Sequence, residues 1–123
     1  MIYNKYYEDE KIEIGDLISY KRIEDKVIKS KESHYIEPDV RIIGVCDRVI
    51  DNNTISVKSV GICDINVINL ICIGDKLTAS ERPGKARAIK YGEDETNFDI
   101  RSIGKVIGLY NSYDKVKVIL DIE

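Results

Sequence analysis

Apolar and polar residues alternate most cleanly near the end of the chain. In Lys115-Val-Lys-Val-Ile-Leu-Asp-Ile122 the side chains of Val116, Val118, Leu120 and Ile122 fall on one face of an extended strand. Similar short Ile- and Val-rich stretches recur from residue 11 onwards. They predict strands at 11–14, 17–20, 26–29, 40–49, 55–60, 61–67, 76–79, 86–90, 104–110 and 116–122. Turn formers separate several of them, at Asp51-Asn52-Asn53-Thr54, Pro83-Gly84 and Asn111-Ser112-Tyr113-Asp114. Only 91–97 has any helical character, and its acidic composition reads better as a surface loop. Short β-branched runs with regular turns predict an all-β domain, a compact β-barrel or β-sandwich.

The pattern is also repeated. Ile14-Gly15-Asp16 opens one stretch and Ile73-Gly74-Asp75 opens another, and Lys26 follows the first as Lys85 follows the second. Asp39-Val-Arg-Ile-Ile-Gly44 is answered by Asp99-Ile-Arg-Ser-Ile-Gly104, and the turn at 51–54 by the turn at 111–114. Two similar half-units, about 15–60 and 74–120, related by a pseudo-twofold within one domain, are therefore expected. In each Gly-Asp pair the glycine supplies a backbone conformation other residues resist, and the aspartate closes the turn by accepting backbone amides. Gly44, Gly61, Gly104 and Gly108 lie inside strand patterns and predict bulges or bends. Residues 1–11, with Tyr3, Tyr6 and Tyr7, precede the β domain of 12–123 as a flexible tail or an arm laid against a neighbouring subunit.

Composition narrows the function classes. With 123 residues, 43% hydrophobic and 33% charged, the chain can bury one core. A net charge of −3 with interleaved signs argues against a nucleic-acid footprint. The longest apolar runs are too short to cross a membrane as a helix, and no secretory signal is visible at the N-terminus. Cys46, Cys63 and Cys72 form no Cys-x-x-Cys pair; all lie in apolar runs and are expected to be buried free thiols, in a protein made in the cytoplasm.

No catalytic constellation is expected. His34 is the one histidine, and Glu32, Glu37 and Asp39 nearby carry the groups of a general base or metal site. Its polar context predicts a surface histidine instead. The cluster Glu93, Asp94, Glu95 and Asp99 lacks the ligand spacing of a calcium loop and reads as a solvated loop. Ser80 and Ser102 have no placed histidine partner, and Ser80 reads as a turn residue. No glycine-rich phosphate loop occurs. No cofactor or metal is implied.

Taken in order, the motifs resemble a known type. The features are Gly15-Asp-Leu-Ile-Ser19, Val27-Ile-Lys-Ser30, Asp39-Val-Arg-Ile-Ile-Gly-Val45, Val60-Gly-Ile-Cys-Asp-Ile-Asn-Val67, Ile73-Gly-Asp-Lys-Leu-Thr-Ala-Ser80, Pro83-Gly-Lys-Ala86 and Ile103-Gly-Lys-Val-Ile-Gly108. This series is similar to the small β domain of tail-fibre, tail-spike and appendage proteins of bacteriophages and phage tail-like particles, over roughly 15–122. The resemblance implies a homotrimer that serves in particle assembly or host attachment. Its other partners would be particle structural proteins, its location the virion or phage-like particle, and it would need no enzyme activity, nucleic acid or membrane. Some relatives cleave themselves, but no cleavage residues match here. A weaker resemblance is to duplicated barrels built around a Gly-Asp turn, with interlocking halves. A binding module for host cell-surface polysaccharide is the competing expectation, with Tyr35, Tyr91, Tyr110 and Tyr113 as its surface aromatics.

Overall fold

The computed structural model describes residues 1–5, 11–90, 92–93 and 100–122. These form ten strands, β1 (Ile2–Asn4), β2 (Leu17–Lys21), β3 (Lys26–Lys29), β4 (Val40–Val49), β5 (Thr54–Lys58), β6 (Val60–Asn66), β7 (Lys76–Ala79), β8 (Ala86–Ala88), β9 (Gly104–Leu109) and β10 (Lys115–Asp121). They make two five-stranded antiparallel sheets, ordered β1-β5-β4-β2-β3 and β6-β10-β9-β7-β8. The fold is all-β and sandwich-like. In each sheet the two outer strands approach at one isolated parallel bridge, Lys5 with Val27 and Val67 with Ala86. One bridge is not a ladder, so the expected barrel does not close.

Two cores explain two kinds of strand pattern. In the second sheet, Val116, Val118 and Leu120 are buried while Lys117, Ile119 and Asp121 are exposed, giving the clean alternation of a strand with one wet face. Strands β2 and β4 are buried on both faces and read as continuous apolar runs. Leu17, Ile42 and Val45 join the larger core with Ile65, Leu77, Val106, Val118 and Leu120. Ile18 and Cys46 turn the other way, into a smaller core with Ile12, Val27, Ile55 and Val57. Each fully buried Leu or Ile contributes about 1.5–3 kcal/mol.

The two sheets share their local devices. Gly15 and Gly74 both have φ of 93°. Their amides donate to Cys46 and Val106 respectively, and the Asp16 and Asp75 amides donate to Glu13 and Cys72. One bulge falls between Cys46 and Arg48 in the β4–β5 ladder, and another faces Lys117 and Val118 in the β9–β10 ladder. Gly44 borders a further bulge, where Ile18 pairs with Gly44 and Ser19 with Ile42, but neither Gly44 nor Gly104 takes a positive φ. They permit close strand approach: a Cβ on Gly44 would lie 2.3 Å from the Lys58 carbonyl oxygen, and one on Gly104 2.5 Å from that of Ile119.

Several expectations are corrected. Residues 2–4 are not a free tail but strand β1 of the first sheet, and Tyr3 packs beside Tyr20 with ring centroids 5.7 Å apart; Tyr6 and Tyr7 lie outside the described residues. Residues 11–14 form no strand, although Ile12 is buried. The link after β3 holds a 3₁₀ turn, Glu32–Tyr35. Of the three free thiols only Cys46 is buried; Cys63 is half-buried and Cys72 exposed. Burial pushes the Cys46 thiol up to about 11, which leaves it unreactive near neutrality.

Gly44→Ala should destabilise the protein by about 1–3 kcal/mol, because rigid backbone must move to admit the methyl group. Gly108→Ala, whose Cβ would meet only the Lys117 side chain at 3.4 Å or more, should cost less. Urea unfolding of the two variants measures the difference.

Candidate functional site

The polar groups that the fold buries gather where the two sheets meet. Asp16 ends the first Gly-Asp turn and is 1% exposed. Its Oδ2 accepts the Glu13 amide at 2.9 Å, which closes the turn. Its Oδ1 accepts the Asn66 side-chain amide at 2.9 Å and the Lys85 ammonium at 3.3 Å, both from the second sheet's side. Asn66 also donates to the Ile14 carbonyl, and its backbone amide donates to Gly15. The Leu17 amide donates to Gly84, and the Gly84 amide to Ser30. Gly84 takes a φ of 78°, and a Cβ there would stand 3.0 Å from the Asp16 carboxyl. The turn of one sheet is thus clasped by the edge of the other. Buried polar groups must be satisfied in this way or their desolvation is lost free energy.

The counterpart turn is open. Asp75 Oδ2 accepts the Cys72 amide at 2.8 Å, as Asp16 does for Glu13. Nothing lies within 4 Å of a Cβ built on Gly74, whereas Asn66 crowds the same position on Gly15. Gly15–Asp16 and Gly74–Asp75 thus share one turn geometry and one carboxylate–amide bond in different surroundings.

Beside this junction, the 3₁₀ turn brings His34 into the interior, 5% exposed, against the expectation of a surface histidine. Its Nδ1 accepts the Lys31 amide at 3.1 Å, which leaves the proton on Nε2. The Ser19 hydroxyl lies 2.8 Å from the same nitrogen, and Glu37 Oε2 lies 3.6 Å from Nε2. Ser, His and Glu are aligned, but Ser19 is fully buried in β2 and has no path to a substrate. Burial lowers the His34 pKa below its ordinary value, with Glu37 opposing. Glu32 pairs instead with Arg87, and Asp39 with Arg22. Ser80 is the turn residue expected, its hydroxyl donating to the Lys85 carbonyl at 2.7 Å.

An open cavity of about 830 Å³ lies along the seam, between the start of β4 and the strands β7, β9 and β10. Val40, Ile42, Ile103 and Ile122 give it apolar walls, and among the described residues Arg41, Lys76, Arg101 and Lys105 stand against a single carboxylate, Asp121. In a chain of net charge −3 this is a local cationic concentration. Sequence reading missed it because the cations come from three separate stretches, 40–42, 76 and 101–105.

Among the described residues the candidate surface aromatics do not assemble. Tyr35 lines the cavity, but its hydroxyl is engaged with Thr78 at 2.7 Å and accepts the Ala79 amide at 2.9 Å. Tyr110 and Tyr113 lie at the β9–β10 turn, Tyr110 bonded to Asp64. Tyr91 lies outside the described residues. The ring contact found among the described residues is Tyr3 with Tyr20. Glu93 is bound to Arg87; Asp94, Glu95 and Asp99 lie outside the described residues. Among the described residues no three His, Cys, Asp or Glu side chains converge as a metal set.

Asp16→Ala should cost about 2–4 kcal/mol, because it leaves the Glu13 amide, Asn66 and Lys85 without their acceptor; thermal or urea unfolding reads this. Because the folded state holds His34 neutral, stability should be full above pH 6.5, the ordinary histidine value, and fall as pH drops below it. His34→Gln should flatten that decline in a pH series of unfolding midpoints. Comparison with protein-family models, with curated proteins and with solved structures gives no match for this chain.

Proposed function

We propose that the protein is a structural component of a bacteriophage or phage tail-like particle, a tail, baseplate, fibre or decoration subunit. It acts through protein–protein assembly, first with itself. The motif series from Gly15 to Ile122 supports the reading by resemblance. The observation that carries it is an apolar stripe on the outer face of the second sheet. Ile62 on β6 and Ile119 on β10 are cross-strand partners. They are 57% and 47% exposed, and Val60 beside them is 66% exposed. Contiguous apolar surface of this kind marks a contact site. Strand β6 is also an outer strand of its sheet, and an exposed strand edge needs cover. The two sheets, with the same strand order and the same Gly-Asp turn, are read here as two versions of one half-unit.

A second reading rests on the cationic cavity. Four cations around apolar walls suit an acidic polysaccharide of a host surface, held by charge and by sugar faces. Under this reading the protein is a binding module, and assembly is secondary.

Light scattering across a dilution series separates the two. The assembly reading predicts a stable homo-oligomer, expected to be a trimer. A monomer that binds an acidic polysaccharide in a salt-sensitive way, and loses binding in Arg41→Ala with Lys105→Ala, would replace the first reading with the second.

A further inference from the structure

The junction between the sheets is made once within the chain and leaves both of its halves available a second time. The turn half is Gly74–Asp75, whose surroundings are empty where Gly15–Asp16 is clasped. The edge half is found by following the strand registers. Asn66 pairs with Lys115 at the start of β10, and Asn4 pairs with Thr54 at the start of β5. Val67 bridges Ala86, and Lys5 bridges Val27. Ala86 follows Gly84-Lys85, and Val27 follows Asp25-Lys26. Asn4, Asp25 and Lys26 on the first sheet therefore stand where Asn66, Gly84 and Lys85 stand on the second.

The match extends to backbone detail. Asp25 has a φ of 54° and Gly84 one of 78°, so both positions take the left-handed conformation. That is unusual for a residue with a side chain. Met1, Tyr3 and Lys5 face β5: the Met1 and Val57 backbones exchange hydrogen bonds, and the Lys5 amide donates to Asn53. By antiparallel alternation the Asn4 amide points out of the sheet edge, as the Asn66 amide does towards Gly15. Asn4 and Lys26 are exposed. Among the described residues Lys26 is in no ion pair, and Asp75 Oδ1 accepts no hydrogen bond.

We propose that this open edge receives the Gly74–Asp75 turn of a second copy of the chain, with Asn4 and Lys26 holding the partner's Asp75 as Asn66 and Lys85 hold Asp16. Lys26 supplies the positive charge for the partner's carboxylate; Asp25, in the place of Gly84, has its own carboxyl engaged by the Tyr20 hydroxyl at 2.6 Å, and its Cβ seats the partner's turn slightly further out than Gly84 seats Asp16. Apolar surface fits as well: Leu70 and Ile73 beside the turn are 79% and 65% exposed, and Ile2 and Ile23 beside the edge are 62% and 74% exposed. A twofold relation between the half-units would seat both turns inside one chain. Only the first is seated, so the internal relation is not twofold. Each copy then offers one turn and one edge at different places, a head-to-tail contact that gives a ring where its rotation closes and a filament where it does not. The inference deepens the assembly reading by naming its interface.

The experiment is sedimentation or light scattering of the full chain and of two variants, with far-UV circular dichroism to verify folding. Lys26→Glu places a carboxylate against Asp75 and should weaken association by about tenfold or more. Lys26→Glu with Asp75→Asn should restore it. The amide side chain at position 75 keeps an oxygen to cap the Cys72 amide, and its NH₂ can donate to the carboxylate introduced at position 26. Both positions lie off the core, so folding should be unchanged. A wild-type monomer would overturn this interface together with the assembly reading. An oligomer whose mass is indifferent to Lys26→Glu, or a loss that Asp75→Asn fails to rescue, would overturn the interface alone.

Discussion

A buried carboxylate organises this molecule. Asp16 is buried, so its carboxylate depends on the Glu13 amide, the Asn66 amide group and Lys85 arriving together. Two of those donors belong to the second sheet's side, so the first sheet alone cannot satisfy the carboxylate that its turn buries. Removing a partner from such a site exposes the full desolvation cost of the others, whereas the same aspartate on the surface would contribute little. Leu17, directly after Asp16, enters the larger core, and Ile18 enters the smaller one. The turn therefore sets the register from which both cores are packed.

Much of this was legible in the sequence. Alternation in 115–122 and turn chemistry at 51–54 and 111–114 placed strands whose apolar faces are buried one side at a time. The repeated Gly-Asp pair announced two turns of one geometry, and both glycines carry the same φ. What was not legible depended on partners distant along the chain. Nothing local distinguishes Asp16, which meets Asn66 and Lys85, from Asp75, which meets neither. His34 sits among polar neighbours in sequence, but the 3₁₀ turn folds it onto Ser19 of β2. Residues 1–5 carry no strand periodicity of their own, and they become a strand because β5 offers them an edge. The three cysteines share similar apolar contexts yet differ in burial, since Cys72 falls in the open turn.

The same asymmetry links fold to function. Two sheets of one strand order, joined by one clasp, leave a free turn at one place and a free edge at another. Under the proposed assembly role, that arrangement supplies an interface already shaped by the molecule's own interior. The cationic cavity along the seam is compatible with this use, because it lies between sheets that the clasp fixes relative to each other.

Amide hydrogen exchange across a dilution series tests the central claim most directly. The Leu17 and Asn66 amides, bonded within the chain to Gly84 and Gly15, should be strongly protected at any concentration. The account predicts that the Asn4 and Lys76 amides, which occupy the same positions at the open clasp, become protected in step with oligomer formation and exchange freely on dilution. Rapid exchange at Asn4 and Lys76 in a fully formed oligomer would contradict it.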